Sequence, residues 1–404
     1  MTKSKGKRKL CVFSRYQLGE QFDLAAEFRP MLEHLCREHQ VMHLSFRNTH
    51  PPAEIPDGLQ IEEIPLQVNR DKPGDIVIKS LLMYFMLPVA VWKIRRFKPE
   101  LVFVSEILPL VGLFFKWFCG CKVATAYGDW HVHNFLGKKW WIKPFLALAE
   151  FLERFEARRL EGLFCRATAA SHRLQAWGVA QKNIRVVFDA PDLSAFYPQD
   201  CSELRAMCGF SARDTVLLYH GVMHQGKGLD MLLRCTAKLH QEDSSVGIIL
   251  VGSGPELEPL RRLATELGIE GRCYFTGWLK TIQEVGQYCN AADICIAMRT
   301  GAESNVHIIP GALLHSMACR KVVIGPDLPG IREVIQHGEN GYVFKPDNED
   351  SFITLIRQLR MDRTDWSRVA KNAETDIHRR FSVDGAASQY AEALIHFSHV
   401  EAGK

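Results

Sequence analysis

Along this chain, short apolar runs alternate with longer stretches whose apolar residues recur every three or four positions. Runs of the first kind read as strands covered on both faces, and stretches of the second kind as the helices that cover them. In the first half the pattern predicts strands over 9–14, 41–46, 59–64, 101–105, 122–126, 164–170 and 184–188, with Pro65 stopping the third. It predicts helices over 22–39, 76–97, 109–118, 142–160 and 172–177, with Pro99 ending the second. The stretch 189–198, DAPDLSAFYP, is rich in Pro and Asp and reads as a linker.

The second half repeats the alternation. Strands are predicted over 215–220, 246–251, 273–275, 294–297, 321–324 and 342–344. Helices are predicted over 229–240, 256–267 and 282–290, after Pro310, and over 351–360, 366–381 and 383–396. Two successive α/β series predict two doubly wound parallel-sheet domains with a cleft between them. The expected boundaries are 1–195 and 196–380, with a closing segment 381–404 that packs back on the first domain.

Composition narrows the class. A chain of 404 residues is long for a single core, and 47% hydrophobic with 24% charged residues is globular. The net charge of +4 is modest, and part of it sits in Lys3, Lys5, Lys7, Arg8 and Lys9, a solvated terminus or a patch for an anionic membrane. Basic and aromatic residues do not interleave as in a nucleic-acid groove, so no nucleic-acid partner is expected. The twelve cysteines include no Cys-x-x-Cys, and the Cys119/Cys121 spacing fits neither a zinc knuckle nor a redox motif. A reducing, cytoplasmic setting is expected, and the N-terminus lacks the apolar stretch of a signal peptide.

The longest uncharged apolar run, LLMYFMLPVAVW at 81–92, is well short of the roughly 20 residues that span a bilayer. A second run at 101–118 is broken by Glu106 and Lys116, and 137–145 reads GKKWWIKPF. One reading makes the first two a buried helix and a buried strand–helix pair. The other, to which the aromatic and basic third run adds weight, has one of them expose an apolar face, giving peripheral association of the first half with a membrane surface.

Candidate chemistry concentrates in 305–335, NVHIIPGALLHSMACRKVVIGPDLPGIREVI, a loop that becomes a helix after Pro310 and then a strand. Pro at a helix start costs no hydrogen bond, and the unpaired N–H groups of that mouth suit an anion. Lys227 lies between Gly226 and Gly228 just after a predicted strand, where glycines permit close approach and an ammonium offers a point charge to phosphate. The plainer alternative is a surface lysine in a polar turn. In the first half the exit loop 127–135, YGDWHVHNF, holds Asp129, His131 and His133 as acid–base candidates. His131 and His133 alternate, but no third ligand accompanies them, so no metal is expected. Glu106 ends a predicted strand and is either a cleft residue or a solvated carboxylate.

Several pieces recur in a fixed order: His220-Gly221, Lys227-Gly228-Leu229, Gly252-Ser253-Gly254-Pro255, Asp293, 310–318, Pro329-Gly330 with Glu333-Val334-Ile335, and Asn340-Gly341. Together they resemble the donor domain of GT-B glycosyltransferases of the large family-four group (glycosyl transferases group 1), over most of 210–345. In the first half, Gly128-Asp129-Trp130-His131, Trp177-Gly178, Val187-Phe188-Asp189 and Pro191 resemble a narrower group. These are the dolichol-pathway chitobiosyldiphosphodolichol β-mannosyltransferases. The loop 15–20 is not theirs, and it lacks the Gly-Gly pair common in family four.

The resemblance implies an α/β GT-B fold of two Rossmann-like domains facing across a cleft. It implies a UDP- or GDP-linked nucleotide-sugar as donor substrate, no cofactor, a lipid-linked or growing glycan acceptor, and a place on the cytosolic face of a membrane. It implies donor-binding roles for Gly221, Lys227, Gly254, Trp278, Glu303, His307, Pro310, Gly311 and His315, and catalytic roles for Asp129, His131 and Lys227. The broad group implies retention at the anomeric carbon and the narrower one inversion, so the stereochemistry stays open.

Two departures stand out. A carboxylate usually occupies the position of His315, and often a second that of His307; Val222 and Met223 stand where related chains often carry Arg, leaving Arg299 or His224 to compensate. A neutral imidazole offers one donor and one acceptor, and so holds a hydroxyl more weakly than a carboxylate. The readings are an adapted donor site, a shifted role for Glu303, or a weakened enzyme, against a His315 that merely packs on its helix. The rivals are a non-catalytic nucleotide-sugar binder or partner subunit, and a GT-B epimerase or phosphorylase; no pyridoxal-phosphate lysine motif supports the last.

Overall fold

The computed structural model describes residues 7–14, 27–47, 55–67, 75–105, 109–127, 143–302 and 305–399. Their chain divides into two compact units, one holding the first half up to Asp189 together with the segment from Val383, the other Ala190–Ser382.

The first unit begins β1 (Lys9–Ser14), α1 (Phe28–Glu38), β2 (Gln40–Arg47), β3 (Leu59–Gln67), α2 (Asp75–Phe97) and β4 (Leu101–Val104). It continues with α3 (Val111–Cys119), β5 (Lys122–Tyr127), α4 (Lys143–Ala157), β6 (Gly162–Cys165), α5 (Thr168–Ala176) and β7 (Ile184–Val186). The strands form one parallel sheet in the order β3-β2-β1-β4-β5-β6-β7. β1, β4 and β6 are buried almost throughout, which is why they read as unbroken apolar runs.

Two expectations for this unit are corrected. β3 does not stop at Pro65 but runs through it to Gln67. It is the edge strand, paired only to β2, so the donor that proline lacks is not needed on its open side. The register against β2 shifts just there, between Phe46 and Arg47. The strand expected over 164–170 lies at Gly162–Cys165, because the polar residues from Thr168 onward already coil as α5.

The second unit opens with a short helix that the sequence pattern did not predict, α6 (Ser202–Met207), too short to show periodicity. β8 (Thr215–His220), α7 (Leu229–Glu242), β9 (Val246–Val251), α8 (Leu257–Glu266), β10 (Cys273–Gly277), α9 (Ile282–Ala291) and β11 (Ile294–Ile296) follow. Then come α10 (Gly311–Ala318), β12 (Val322–Pro326), α11 (Pro329–Arg332), β13 (Tyr342–Phe344), α12 (Glu349–Met361) and α13 (Trp366–Arg380). The sheet is parallel, in the order β10-β9-β8-β11-β12-β13. The order reverses between β8 and β11, and sheets of this kind bind ligands outside the carboxyl ends of the strands at that reversal. The last helix, α14 (Val383–His399), returns to the first unit, where it lies along α1 and sets Phe397 against Phe164 with ring centroids 5.5 Å apart.

Candidate active site

The chain ends and loops at the carboxyl ends of β8, β9 and β10 of the second unit are tied to one another by their own backbones. Gly221 N–H donates to the Val251 carbonyl (3.0 Å) and Met223 N–H to that of Ser253 (2.8 Å), while Gly252 N–H reaches Gly277 (3.1 Å). Glycine is required for this closeness. Gly252 and Gly254 have φ of +122° and +153°, and a β-carbon on them would stand 2.2 Å from the Gly221 carbonyl oxygen and 2.3 Å from that of Met223. Gly254 thus serves by letting one loop lie on the next.

Beyond Met223 the chain makes a single 3₁₀ turn, Gln225–Lys227, capped by His224, whose Nδ1 accepts the Gly226 N–H at 3.2 Å. Gly228 then takes the left-handed conformation (φ +67°) and starts α7. Lys227, half-buried, is the last residue of that turn.

The turn is clamped from β11's exit loop. Asn305, fully buried, donates its Nδ2 to the Gly226 carbonyl (2.9 Å), the Thr300 Oγ1 (2.8 Å) and the Thr300 carbonyl (3.2 Å). Its Oδ1 accepts from Arg299 Nη1 at 3.4 Å, and Thr300 N–H also donates to Gly226 (3.2 Å). Arg299 is 5% exposed, so the cation expected to compensate for Val222 and Met223 is a buried one beside this clamp. Sequence reasoning passed over Asn305 and treated Arg299 only as spare charge; Asn305 opens the stretch that was singled out, but its partners lie far away in sequence.

The opposite wall is α10. Pro310 is its N-cap in extended conformation (ψ 129°), one residue before the expected place, and Gly311 is its first residue. His315, one turn in, points back toward the mouth, as helical side chains do. A β-carbon built on Gly311 would lie 3.7 Å from its Cε1 and 3.9 Å from its Nε2. The ring lies flat on Phe196, with centroids 3.9 Å apart and planes 2° from parallel, and 5.4 Å from the His220 ring. Phe196, from the linker, is fully buried and was not foreseen as a site residue.

This stack sets the charge. Burial, with Lys227's charge adding to it, pushes His220 down to about 4, against a backbone hydrogen bond with Ala312 that acts the other way. Burial, and next the neighbouring His220, hold His315 well below the usual imidazole range. Both rings are therefore neutral at neutral pH, and Lys227 is the cation within their reach. What results is a mouth built from the first N–H groups of a helix, a lysine, and neutral imidazole edges, an arrangement suited to a phosphate ester.

Of the other candidates, Trp278 follows β10 and is 52% exposed, and His307 lies half-buried in the turn before α10. Val306 beside it accepts the Gly330 N–H at 2.9 Å, joining that turn to α11. Asp129, His131, His133, Glu106 and Glu303 lie outside the described residues, as do the loop 15–20 and most of 137–145. Among the described residues no group of three or more His, Cys, Asp or Glu is placed to hold a metal ion.

Residues 214–362 match the family described as Glycosyl transferases group 1, the segment that builds this mouth. N-acetyl-α-D-glucosaminyl L-malate synthase of Bacillus anthracis is 25% identical over 209 residues, 52% of each chain. A GDP-mannose-dependent α-(1-6)-phosphatidylinositol monomannoside mannosyltransferase of Mycobacterium tuberculosis is 27% identical over 175 residues, 43% of this chain and 45% of the other. The chain thus spans about half the length of the curated relatives it matches. The crystal structure of Anabaena Alr3699/HepE in complex with UDP-glucose superposes with a TM-score of 0.72 at 18% identity, covering 96% of this chain and 100% of that one. The fold is GT-B. The family match does not reach the first half, and the expected likeness to dolichol-pathway enzymes is not shown; the Gly128–His131 part of it lies outside the described residues.

Proposed function

Taking residues 214–362 as a Glycosyl transferases group 1 segment, we propose that the protein transfers a sugar from a nucleotide-diphosphate donor to a lipid-linked or growing glycan acceptor. The observation that carries this is the mouth of α10 with Lys227 clamped beside it. In the reaction the bond between the anomeric carbon and the phosphate oxygen breaks, and the nucleoside diphosphate leaves with one more negative charge. Lys227 and the N–H groups of the mouth stabilise that charge without a divalent ion. The acceptor hydroxyl adds to the anomeric carbon and gives its proton to Asp129 or His131, or to the leaving diphosphate. His315 meets a ribose hydroxyl through the edge near Gly311 as a neutral group. The donor is UDP- or GDP-linked, no cofactor takes part, and the enzyme works at the cytosolic face of a membrane. The acquaintance of Alr3699/HepE with UDP-glucose and the GDP-mannose dependence of the mycobacterial relative support the two bases equally.

A second reading is a non-catalytic nucleotide-sugar binder, favoured by the neutral His315 where the resemblance expects a carboxylate. A screen of radiolabelled UDP- and GDP-sugars with polyprenyl-diphosphate glycans separates the two. Transfer supports the enzyme. Binding that Lys227→Ala abolishes, with no transfer to any acceptor, supports the binder, and a changed sugar in donor-only incubations marks an epimerase.

A further inference from the structure

The first unit carries a surface that the transfer reaction does not use. Eight of the fourteen exposed large apolar side chains among the described residues stand on α2, α3 and α4. These helices are neighbours. Tyr84 donates its hydroxyl to the Pro109 carbonyl (2.9 Å), and Glu156 of α4 accepts the Leu110 and Leu113 N–H groups (2.8 and 3.1 Å). Phe85 (78% exposed) and Trp92 (58%) are two turns apart on α2, Trp117 (64%) and Phe118 (50%) end α3, and Leu148 (54%) and Phe151 (61%) share a face of α4. Scattered exposed apolar residues need no explanation, but a concentration of aromatic ones on three adjoining helices does.

Charge on this layer is sorted by sign. Arg95, Arg96, Lys98, Arg154, Arg158 and Arg159 are exposed. The Arg159 guanidinium lies 3.6 Å over the Phe155 ring, and that of Arg96 5.8 Å from the Trp92 ring. The acids turn inward. Glu156 (9% exposed) caps α3, Glu161 (5%) accepts from Lys116 and from the Val123 N–H, and burial pushes the Glu153 carboxyl up to about 7. Glu150 is the acid left at the surface of α4, with Arg173 at 3.9 Å, and Glu100, exposed just past α2, is ion-paired with Arg8.

We propose that the outer face of the α2–α3–α4 layer seats the protein on a bilayer containing anionic lipid, its aromatic side chains entering the interface and its arginines meeting the headgroups. An aromatic set with interleaved cations and inward acids fits that occupant rather than a neutral protein partner, whose interface needs no such charge sorting. No helix among the described residues is long and apolar enough to cross the membrane, so the contact is with one leaflet. This names the surface for the membrane setting proposed above but does not depend on the donor chemistry, and the two fail separately.

The test is flotation of the full chain with vesicles of phosphatidylcholine alone, or of phosphatidylcholine mixed with phosphatidylglycerol. The chain is expected to float with the mixed vesicles and weakly with the neutral ones. A triple variant Arg95→Gln, Arg96→Gln, Arg154→Gln should bind about a hundredfold less tightly, each cation near the surface being worth roughly fivefold. A second variant, Phe85→Ser, Trp117→Ser, Phe151→Ser, changes only exposed side chains and should lose flotation while keeping its melting temperature and nucleotide binding. Three results would overturn the proposal. They are no flotation with anionic vesicles, both variants floating like the parent, or light scattering that finds a dimer which the aromatic variant breaks while vesicles stay unbound.

Discussion

Asn305→Ala removes the clamp on the Lys227 turn. Three donations from Nδ2, to the Gly226 carbonyl (2.9 Å), Thr300 Oγ1 (2.8 Å) and the Thr300 carbonyl (3.2 Å), disappear, as does the acceptance from Arg299. The Nδ2 has two protons for these three acceptors, so at about 1 kcal/mol net for each proton the loss is about 2 kcal/mol. The Gly226 carbonyl keeps its bonds from Thr300, so it is not orphaned. For a unit of this size about 2 kcal/mol lowers the melting temperature by about 4–8 °C. Function should suffer separately: a turn that holds its bound position only a tenth of the time weakens nucleotide binding about tenfold. Thr300→Val, which removes only the hydroxyl, should fall between parent and Asn305→Ala. Calorimetric unfolding and titration with UDP and GDP on the three proteins measure both effects. An Asn305→Ala protein that melts within about 2 °C of the parent and binds nucleotide equally well would refute the clamp.

Other outcomes follow from the same geometry. Lys227→Ala should weaken nucleotide binding at least about tenfold, roughly one charge-assisted hydrogen bond, while the melting temperature stays put; equal affinity would make Lys227 a bystander. Gly254→Ala forces a β-carbon to 2.3 Å from the Met223 carbonyl oxygen, so it should cost at least about 2 kcal/mol in urea unfolding, and a neutral result would mean the loops do not meet. His43 and His220 are each pushed down to about 4, chiefly by burial. The unfolded chain takes up these protons near pH 6.5 and the folded one only near 4, so stability is full above that window and falls as pH drops through it. Near pH 5.5 the loss should be about 1.4 kcal/mol for each histidine, and a melting temperature flat from neutral pH to about 5 would contradict the buried, neutral rings.

Much of this was legible in the sequence because both sheets are buried on both faces. β8 and β9 stand where their apolar runs do, and the loop glycines mark where backbones touch. Pro65 misled because its harmlessness depends on β3 being an edge, a fact of strand order and not of local sequence. At the candidate site, the glycines flanking Lys227 marked the turn in advance, whereas Phe196 and Asn305 act through partners on other elements. Phe196 meets His315 from the linker, and Asn305 reaches back to Gly226. His315 and Phe196 come together only in the fold: the sequence left His315 open between a carboxylate's replacement and a packing residue, and the Phe196 ring beneath it lies 119 positions away in sequence.

The most direct measurement is a structure of the full chain with bound UDP or GDP. The account predicts the diphosphate at the mouth of α10, against the N–H groups of Gly311 and Ala312, with the Lys227 Nζ on a phosphate oxygen and the His315 edge facing the ribose. A nucleotide bound elsewhere, or one at that mouth with Lys227 turned away from its phosphates, would contradict it.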